Sequence, residues 1–370
     1  MFREDFVWGV ASSAYQVEGT DAADGRGACV WDMFAADGRV FEHQNAGTSC
    51  DHMHHYKEDI ALMKHLGIRA YRFSLNWARI LPEGTGRVNE KAIAMYRDMI
   101  LTMKENGITP YLTLFHWEFP QALYERGGWQ NPDVVQWFGE YAKVVAENFS
   151  DICEYFITIN EPQCVVGLGH LSGVHAPGVK LPVAQTFLVA HHLLMAHGQA
   201  VINLRRYAVR PVKIGFAPTG GVAYPYTDRP EDIEAAKKVY FGFYNPIDNW
   251  TWNVSWFSDP VFLGHYPEEG LKKFAPYLPE ITQEDMELIY QPLDFMGQNI
   301  YNGYYVRAGA DGEPEFVDRA PGFPKTGSDW PVTPEAFYYG IKFLTERYPL
   351  PLYITENGMS CHDLVSSDGR

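Results

Sequence analysis

The chain has 370 residues and is 46% hydrophobic, with 10 Trp, 23 Tyr and 22 Phe, too aromatic for a disordered polypeptide and long enough to bury a large core unaided. Its 30 Lys and Arg against 46 Asp and Glu leave a formal net charge of −16, which argues against nucleic acid or an anionic membrane as the main partner. Five scattered cysteines (Cys29, Cys50, Cys153, Cys164, Cys361) form no CxxC pair, which disfavours a zinc site or redox motif and fits a reducing cytoplasm. Cys153 and Cys164 sit among apolar residues and read as small core hydrophobes. The opening Met1-Phe2-Arg3-Glu4-Asp5 carries two acids with no apolar core behind it, unlike a secretion signal, and no run of ~18 apolar residues suggests a membrane span.

In chain order, short apolar runs at 6–11, 70–74, 109–115, 155–159, 212–217, 293–298 and 352–355 read as buried strands of a parallel sheet covered on both faces. Amphipathic stretches separate them. Residues 89–107 place Ile93, Tyr96, Ile100 and Met103 on one side, with Gly107 as a stop. Asn131-Pro132-Asp133 opens a helix whose inner stripe is Val134, Trp137, Phe138, Tyr141, Val145 and Phe149. Thr333-Pro334-Glu335 opens another, with Phe337, Ile341 and Leu344 inward. Residues 219–290 form a long insertion between the fifth and sixth strands, rich in aromatics such as Tyr224, Tyr240, Trp250, Trp256 and Tyr266. It reads either as the wall of a pocket or as a subdomain with its own small core. The alternation implies an α/β barrel or a doubly wound sheet, with seven strands, one short of a closed eight.

Polar and aromatic side chains gather where six of the seven runs end: Tyr15-Gln16, Arg72-Phe73-Ser74, His116-Trp117-Glu118, Asn160-Glu161-Pro162, Asn299-Ile300-Tyr301 and Glu356-Asn357-Gly358. Barrel enzymes build their sites at the carboxyl ends of their strands. Glu161 and Glu356, after the fourth and seventh runs, are placed to face one another across the mouth. Two carboxyls with separated pKa values are what cleavage of a glycosidic bond requires. Amides and imidazole, such as Gln16, Asn160 and His116, suit sugar hydroxyls, and the indoles of Trp117 and Trp330 suit the C–H face of a sugar ring. The His-x-His of Asp51-His52-Met53-His54-His55 opens a helix instead of ending a strand, and His191, His192 and His197 lack the i, i+4 spacing of a metal pair. No metal or cofactor is expected.

Several longer segments carry a family signature: Phe6-Val7-Trp8-Gly9-Val10-Ala11 with Tyr15-Gln16-Val17-Glu18-Gly19, Tyr71-Arg72-Phe73-Ser74, Leu114-Phe115-His116-Trp117, Thr158-Ile159-Asn160-Glu161-Pro162, His175-Ala176-Pro177-Gly178, Asp294-Phe295-Met296-Gly297-Gln298-Asn299 and Ile354-Thr355-Glu356-Asn357-Gly358. Over nearly its whole length the chain resembles a family 1 glycoside hydrolase, the β-glucosidase family. The resemblance implies a single catalytic (β/α)8 TIM barrel over residues 1–370. It implies a retaining mechanism in which Glu161 is the general acid and then the base, and Glu356 the nucleophile. It places sugar contacts on Gln16, His116, Trp117 and Asn160, assigns Arg72 and Tyr301 to hold the nucleophile charged and oriented with Asn299 in support, and matches Trp330 to an aromatic on the aglycone side. Relatives acting on thioglucosides lack the acid/base glutamate; Glu161 is retained, so O-glycosides, as β-glucosides or short β-linked oligosaccharides, are the implied partners.

Two departures stand out. Ile300 replaces a Tyr usual before Tyr301 and is expected to point away from the site. The resemblance also implies an eighth strand with its helix, which this chain lacks because it ends at Arg370. A protein truncated or nicked there is expected to expose the edges of its first and seventh strands, and to gain a C-terminal fragment of the same protein or a second copy as partner. Two alternative activities follow, an inactive sugar-binding remnant and a 6-phospho-β-glycosidase.

Overall fold

The computed structural model describes residues 2–20, 24–361 and 364–369; Met1 and Arg370, on which the readings of the two chain ends partly fell, lie outside these residues. Ten strands occur among the described residues: β1 (Gly9–Ala11), β2 (Ala70–Ser74), β3 (Thr109–Phe115), β4 (Tyr155–Asn160), β5 (Lys213–Ala217), β6 (Val222–Pro225), β7 (Phe295–Asn299), β8 (Gly303–Ala308), β9 (Pro314–Val317) and β10 (Leu352–Glu356). Seven of them form one sheet in the order β1-β2-β3-β4-β5-β7-β10, and β6-β8-β9 form a small second sheet. Every neighbouring pair of the large sheet is parallel. Helices cross between successive strands, which is the architecture of a (β/α)8 barrel.

Side chains fill the barrel interior in layers. The rings of Tyr111 and Tyr155 stack at 4.3 Å, and those of Phe295 and Tyr353 meet at 4.8 Å. Ile157 and Ala217 pack with Phe295, and Gly215 leaves the room its ring needs, since a Cβ there would lie 2.3 Å from it. This apolar plug closes one end of the barrel interior and leaves the carboxyl ends of the strands for chemistry.

The expected first strand is corrected. Only Gly9–Ala11 pairs with β2, and the segment is exposed, Phe6 at 45% and Trp8 at 54%. β1 has a partner on one side alone among the described residues, so its apolar side chains find one another instead: Phe2, Phe6 and Trp8 cluster with ring centroids 4.6–4.9 Å apart.

On the outside, the helix Val134–Phe149 buries the stripe its sequence predicts. It starts at Val134, because the Asn131 side chain accepts from the backbone N–H of Asp133 (2.9 Å) and caps a tighter turn before it. The helix Pro334–Arg347 is turned slightly from expectation: Ala336, Gly340, Phe343 and Leu344 are buried, while Phe337 and Ile341 are only half-buried. Gly340 lets this helix approach Val222 and Ile300, and that contact sets its rotation. Ile300 is buried, away from the site as expected.

Tyr224 packs on Tyr305 and Tyr240 on Phe343, while Trp250, Trp256 and Tyr266 turn towards the long helix Val183–Tyr207. Trp250 stacks on Phe187 at 3.8 Å and donates to Thr186 Oγ1 (3.2 Å), and Trp256 and Tyr266 are buried in the same continuous core. The helix histidines have partners within the fold: His191 meets Tyr266 and Asp285, His192 the Trp129 carbonyl, and His197 the Thr158 hydroxyl. His52 pairs with Asp59 (2.7 Å) and His54 with Asp51 (2.6 Å).

Gly198 marks the closest approach of the long helix to a neighbouring backbone; a Cβ there would lie 1.8 Å from the Leu288 carbonyl oxygen. Gly198→Ala is therefore expected to lower stability by roughly 1–3 kcal/mol in urea unfolding. An unchanged midpoint would contradict this packing.

Candidate active site

Both carboxylates stand where strand pairing slips. The register of β4 against β5 shifts between Ile157 and Asn160, and that of β10 against β7 between Ile354 and Glu356. Such irregularities re-aim side chains at the rim of a barrel. Glu161 follows β4 with φ 44°, ψ 67°, in the left-handed region that is costly for any residue with a Cβ. Its backbone N–H donates to the Ala217 carbonyl (2.7 Å), and Pro162 then opens the short helix Pro162–Val166. Trp117, after β3, is likewise held at φ 86°.

Arg72, on β2 and buried, ties the strand ends together. Its Nη1 donates to Glu356 Oε1 (2.6 Å) and to the Thr355 carbonyl (3.1 Å), its Nη2 to Asn160 Oδ1 (2.6 Å), and its Nε to Thr113 Oγ1 (3.0 Å). Tyr301 donates its hydroxyl to the second oxygen, Glu356 Oε2 (2.5 Å). Asn299 extends the network: its Nδ2 donates to Asn160 Oδ1 (3.0 Å) and to Glu161 Oε1 (2.8 Å), while its Oδ1 accepts from the Thr355 hydroxyl (2.6 Å). Asn160 Nδ2 donates to His116 Nε2 (3.1 Å), which leaves the proton of the neutral ring on the buried Nδ1, an atom with no protein partner. The Trp117 indole donates to the Asn160 carbonyl (3.1 Å).

The two glutamates ionise differently. Burial pushes Glu161 up to about 7, and the negative charge of Glu356 adds to it, against opposing hydrogen bonds from Asn299 and Cys164. Burial acts on Glu356 in the same sense, but the Arg72 charge, assisted by Tyr301, outweighs it and holds this carboxyl below its ordinary value. Burial and then the Glu356 charge push the Tyr301 phenol up, so it stays a donor. Burial pulls His116 down to about 4, so it is neutral at neutral pH. Near neutrality one carboxyl retains a proton and the other is a carboxylate.

Arg72, His116, Trp117, Asn160, Glu161, Asn299, Tyr301 and Glu356 therefore share one network. Trp330 joins at its edge, 47% exposed, with its ring 5.5 Å from that of Tyr301. Gln16 stays outside it: its side chain is exposed and makes none of these hydrogen bonds. Asn160 spends both ends of its amide on protein partners, so it acts here as a link between Arg72, Asn299 and His116. Sequence reasoning gave two residues no part in the site. Cys164 is buried as expected of a core hydrophobe, yet its thiol donates to Glu161 Oε2 (3.2 Å); its position three residues after Glu161 was the available signal. Glu118 is fully enclosed, and its Oε1 accepts from the Tyr15 N–H (2.6 Å), joining the His116-Trp117 loop to the turn that carries Gln16.

A parallel barrel whose strand ends hold a protonated carboxyl, a carboxylate fixed by guanidinium and phenol, and flanking imidazole and indole has the layout of a glycoside hydrolase. The family model for glycosyl hydrolase family 1 matches residues 1–369. Beta-glucosidase A of Thermotoga maritima is 42% identical over 373 residues, covering 100% of this chain and 81% of that protein. Beta-glucosidase A of Acetivibrio thermocellus is 38% identical over 376 residues, with the same coverage of 100% and 81%. The solved structure of the Thermotoga maritima β-glucosidase in complex with glucoimidazole superposes with a TM-score of 0.88 at 42% identity, covering 100% of this chain and 81% of that one. The chain belongs to glycosyl hydrolase family 1.

Glu118 supplies a test of the buried framework. Burial pushes it up to about 8 from an ordinary 4.5. Between those values the unfolded chain ionises this group while the folded chain keeps it neutral, so its contribution to stability is full below pH 4.5 and is lost as pH rises through about 8. Glu118→Gln is expected to flatten the fall in stability over that window. Parallel curves for the two proteins in chemical unfolding at pH 5 and pH 8 would refute it.

Proposed function

We propose that this chain is a retaining β-glucosidase, removing terminal non-reducing β-D-glycosyl residues by double displacement. The observation that carries the reading is the unequal pair: Glu161 pushed up to about 7 and Glu356 held low, joined through Arg72, Asn160 and Asn299. The names of the relatives support glucosides as the substrate class.

In the first step the Glu356 carboxylate attacks the anomeric carbon, the glycosidic C–O bond breaks, and Glu161 gives its proton to the departing oxygen. The product is a glycosyl ester on Glu356 and a free alcohol. In the second step Glu161, now ionised, takes a proton from water as its oxygen attacks the anomeric carbon, and the Glu356 carboxylate leaves. Arg72 and Tyr301 favour the charged Glu356 at the start and end of the cycle. The His116 imidazole and the indole of Trp117 would bind the glycon, and the exposed Trp330 would stack on the aglycone. The same reading takes short β-linked oligosaccharides as further substrates, needs no metal or cofactor, and sets the protein in the cytoplasm. It supplies the exposed β1 edge with a strand from a C-terminal fragment of the same protein or from a second copy.

Hydrolysis of 4-nitrophenyl β-D-glucoside tests it. Glu356→Gln is expected to abolish release, and Glu161→Gln to slow it by roughly 10²- to 10⁴-fold. Azide, a nucleophile that needs no general base, should restore turnover of activated substrates by the Glu161 variant with retained β configuration. In the unaltered chain kcat/KM should fall as pH rises through about 7, where Glu161 loses its proton. Glucose binding without turnover would make the chain a sugar-binding remnant, and turnover confined to phosphorylated glycosides would change the substrate class.

A further inference from the structure

Glu161 and Cys164 are the N-cap and third residues of the helix Pro162–Val166. At such a position the cap side chain ordinarily accepts from the backbone N–H three residues on. Here the Glu161 side chain makes no such bond; the Cys164 N–H instead bonds to the Glu161 carbonyl oxygen (3.0 Å). The carboxylate is thus free to face the barrel mouth, and the short Cys164 side chain reaches back to meet its Oε2 at 3.2 Å. The other oxygen, Oε1, is taken by Asn299 Nδ2 at 2.8 Å. Every other charged or titratable group acting on Glu161 comes from elsewhere in the barrel: Glu356 from β10, Arg72 from β2 and Tyr301 from the segment after β7.

We propose that Cys164 is a positioning residue for Glu161, holding Oε2 in place and supporting the charge that appears there when the proton leaves. Both oxygens accept a donor, but the Asn299 amide on Oε1 (2.8 Å) is a stronger donor than the thiol on Oε2 (3.2 Å), so the acidic proton resides on Oε2. When Oε2 gives its proton to the leaving oxygen, the Cys164 S–H donates to the resulting negative oxygen. When water later returns a proton to Oε2, that bond weakens again. The thiol itself transfers nothing. Burial, and then the Glu161 charge, push its own ionisation well up, so it remains S–H throughout. A thiol is a weak donor. It steadies the carboxylate without making Glu161 too weakly basic to hold a proton near neutral pH, as a hydroxyl in its place would tend to do.

This inference rests on Glu161 being the acid/base, and the test separates the two ideas. Cys164→Ala removes the donor and is expected to move the alkaline limb of kcat/KM for 4-nitrophenyl β-D-glucoside upward by roughly half a pH unit; Cys164→Ser is expected to move it downward by a similar amount. With 2,4-dinitrophenyl β-D-glucoside, whose leaving group departs without a proton, both shifts should shrink. Limbs that stay fixed in both variants, or that move equally with both substrates, would overturn the proposal. The infrared S–H stretching band, assigned by its loss in Cys164→Ala, supplies a readout that needs no turnover. It should shift as pH passes through about 7 in the unaltered protein and stay still in Glu161→Gln. A band indifferent to pH overturns the role of Cys164 even in an active enzyme. A band that shifts in a protein with no glycosidase activity keeps the Cys164–Glu161 pairing and removes the catalytic reading instead.

Discussion

One guanidinium organises the mouth of this barrel. Arg72 lies in the second strand, yet it bonds to the ends of the fourth and the last, meeting Asn160 and Glu356 with different nitrogens. A planar fork with several fixed donors can serve two partners at once, which a lysine could not do with the same geometry. The charge is buried, and a buried charge is tolerated only when it is paired and its donors are used. Arg72 satisfies this with a carboxylate, an amide, a hydroxyl and a backbone carbonyl. The fold around it must therefore hold four strand ends in register, and the site follows from that need.

The same pairing makes the two glutamates unlike. Both are removed from water, and burial raises both. Arg72 bonds directly to Glu356 and acts on Glu161 only as a weaker, unbonded charge, so one carboxyl is discharged by its environment and the other stays charged. Asn160 and Asn299 are the spacers that enforce this asymmetry. They pass position, not charge, from one carboxyl to the other.

Much of this was legible in the residues. The apolar runs marked six of the seven parallel strands to within a few residues, and the polar groups at their ends marked the mouth, because a strand buried on both faces can carry polar side chains only where it emerges. What was hidden depended on three-dimensional detail. An exposed edge on the first strand was expected, but nothing in the string told that its paired part would shrink to Gly9–Ala11, since pairing depends on what packs against it. Gln16 follows a strand end as His116 does, yet its side chain stays exposed, which no spacing in the string could tell. Cys164 read as an apolar core residue, and its burial agrees, but a thiol keeps a donor that a valine would not have. Its partner was evident only once Glu161 was seen to occupy the cap of its own helix.

The left-handed backbone of Glu161 has a consequence of its own. A residue with a side chain occupies that region at an energetic cost, whereas glycine does so at little. The protein is therefore built against its own ease at this point, and exchanging the carboxyl for nothing would relax it. Glycine at position 161 would lift that backbone cost as it removed the acid, so the strain is kept at the residue on which the chemistry turns, and selection for heat resistance alone would not preserve it.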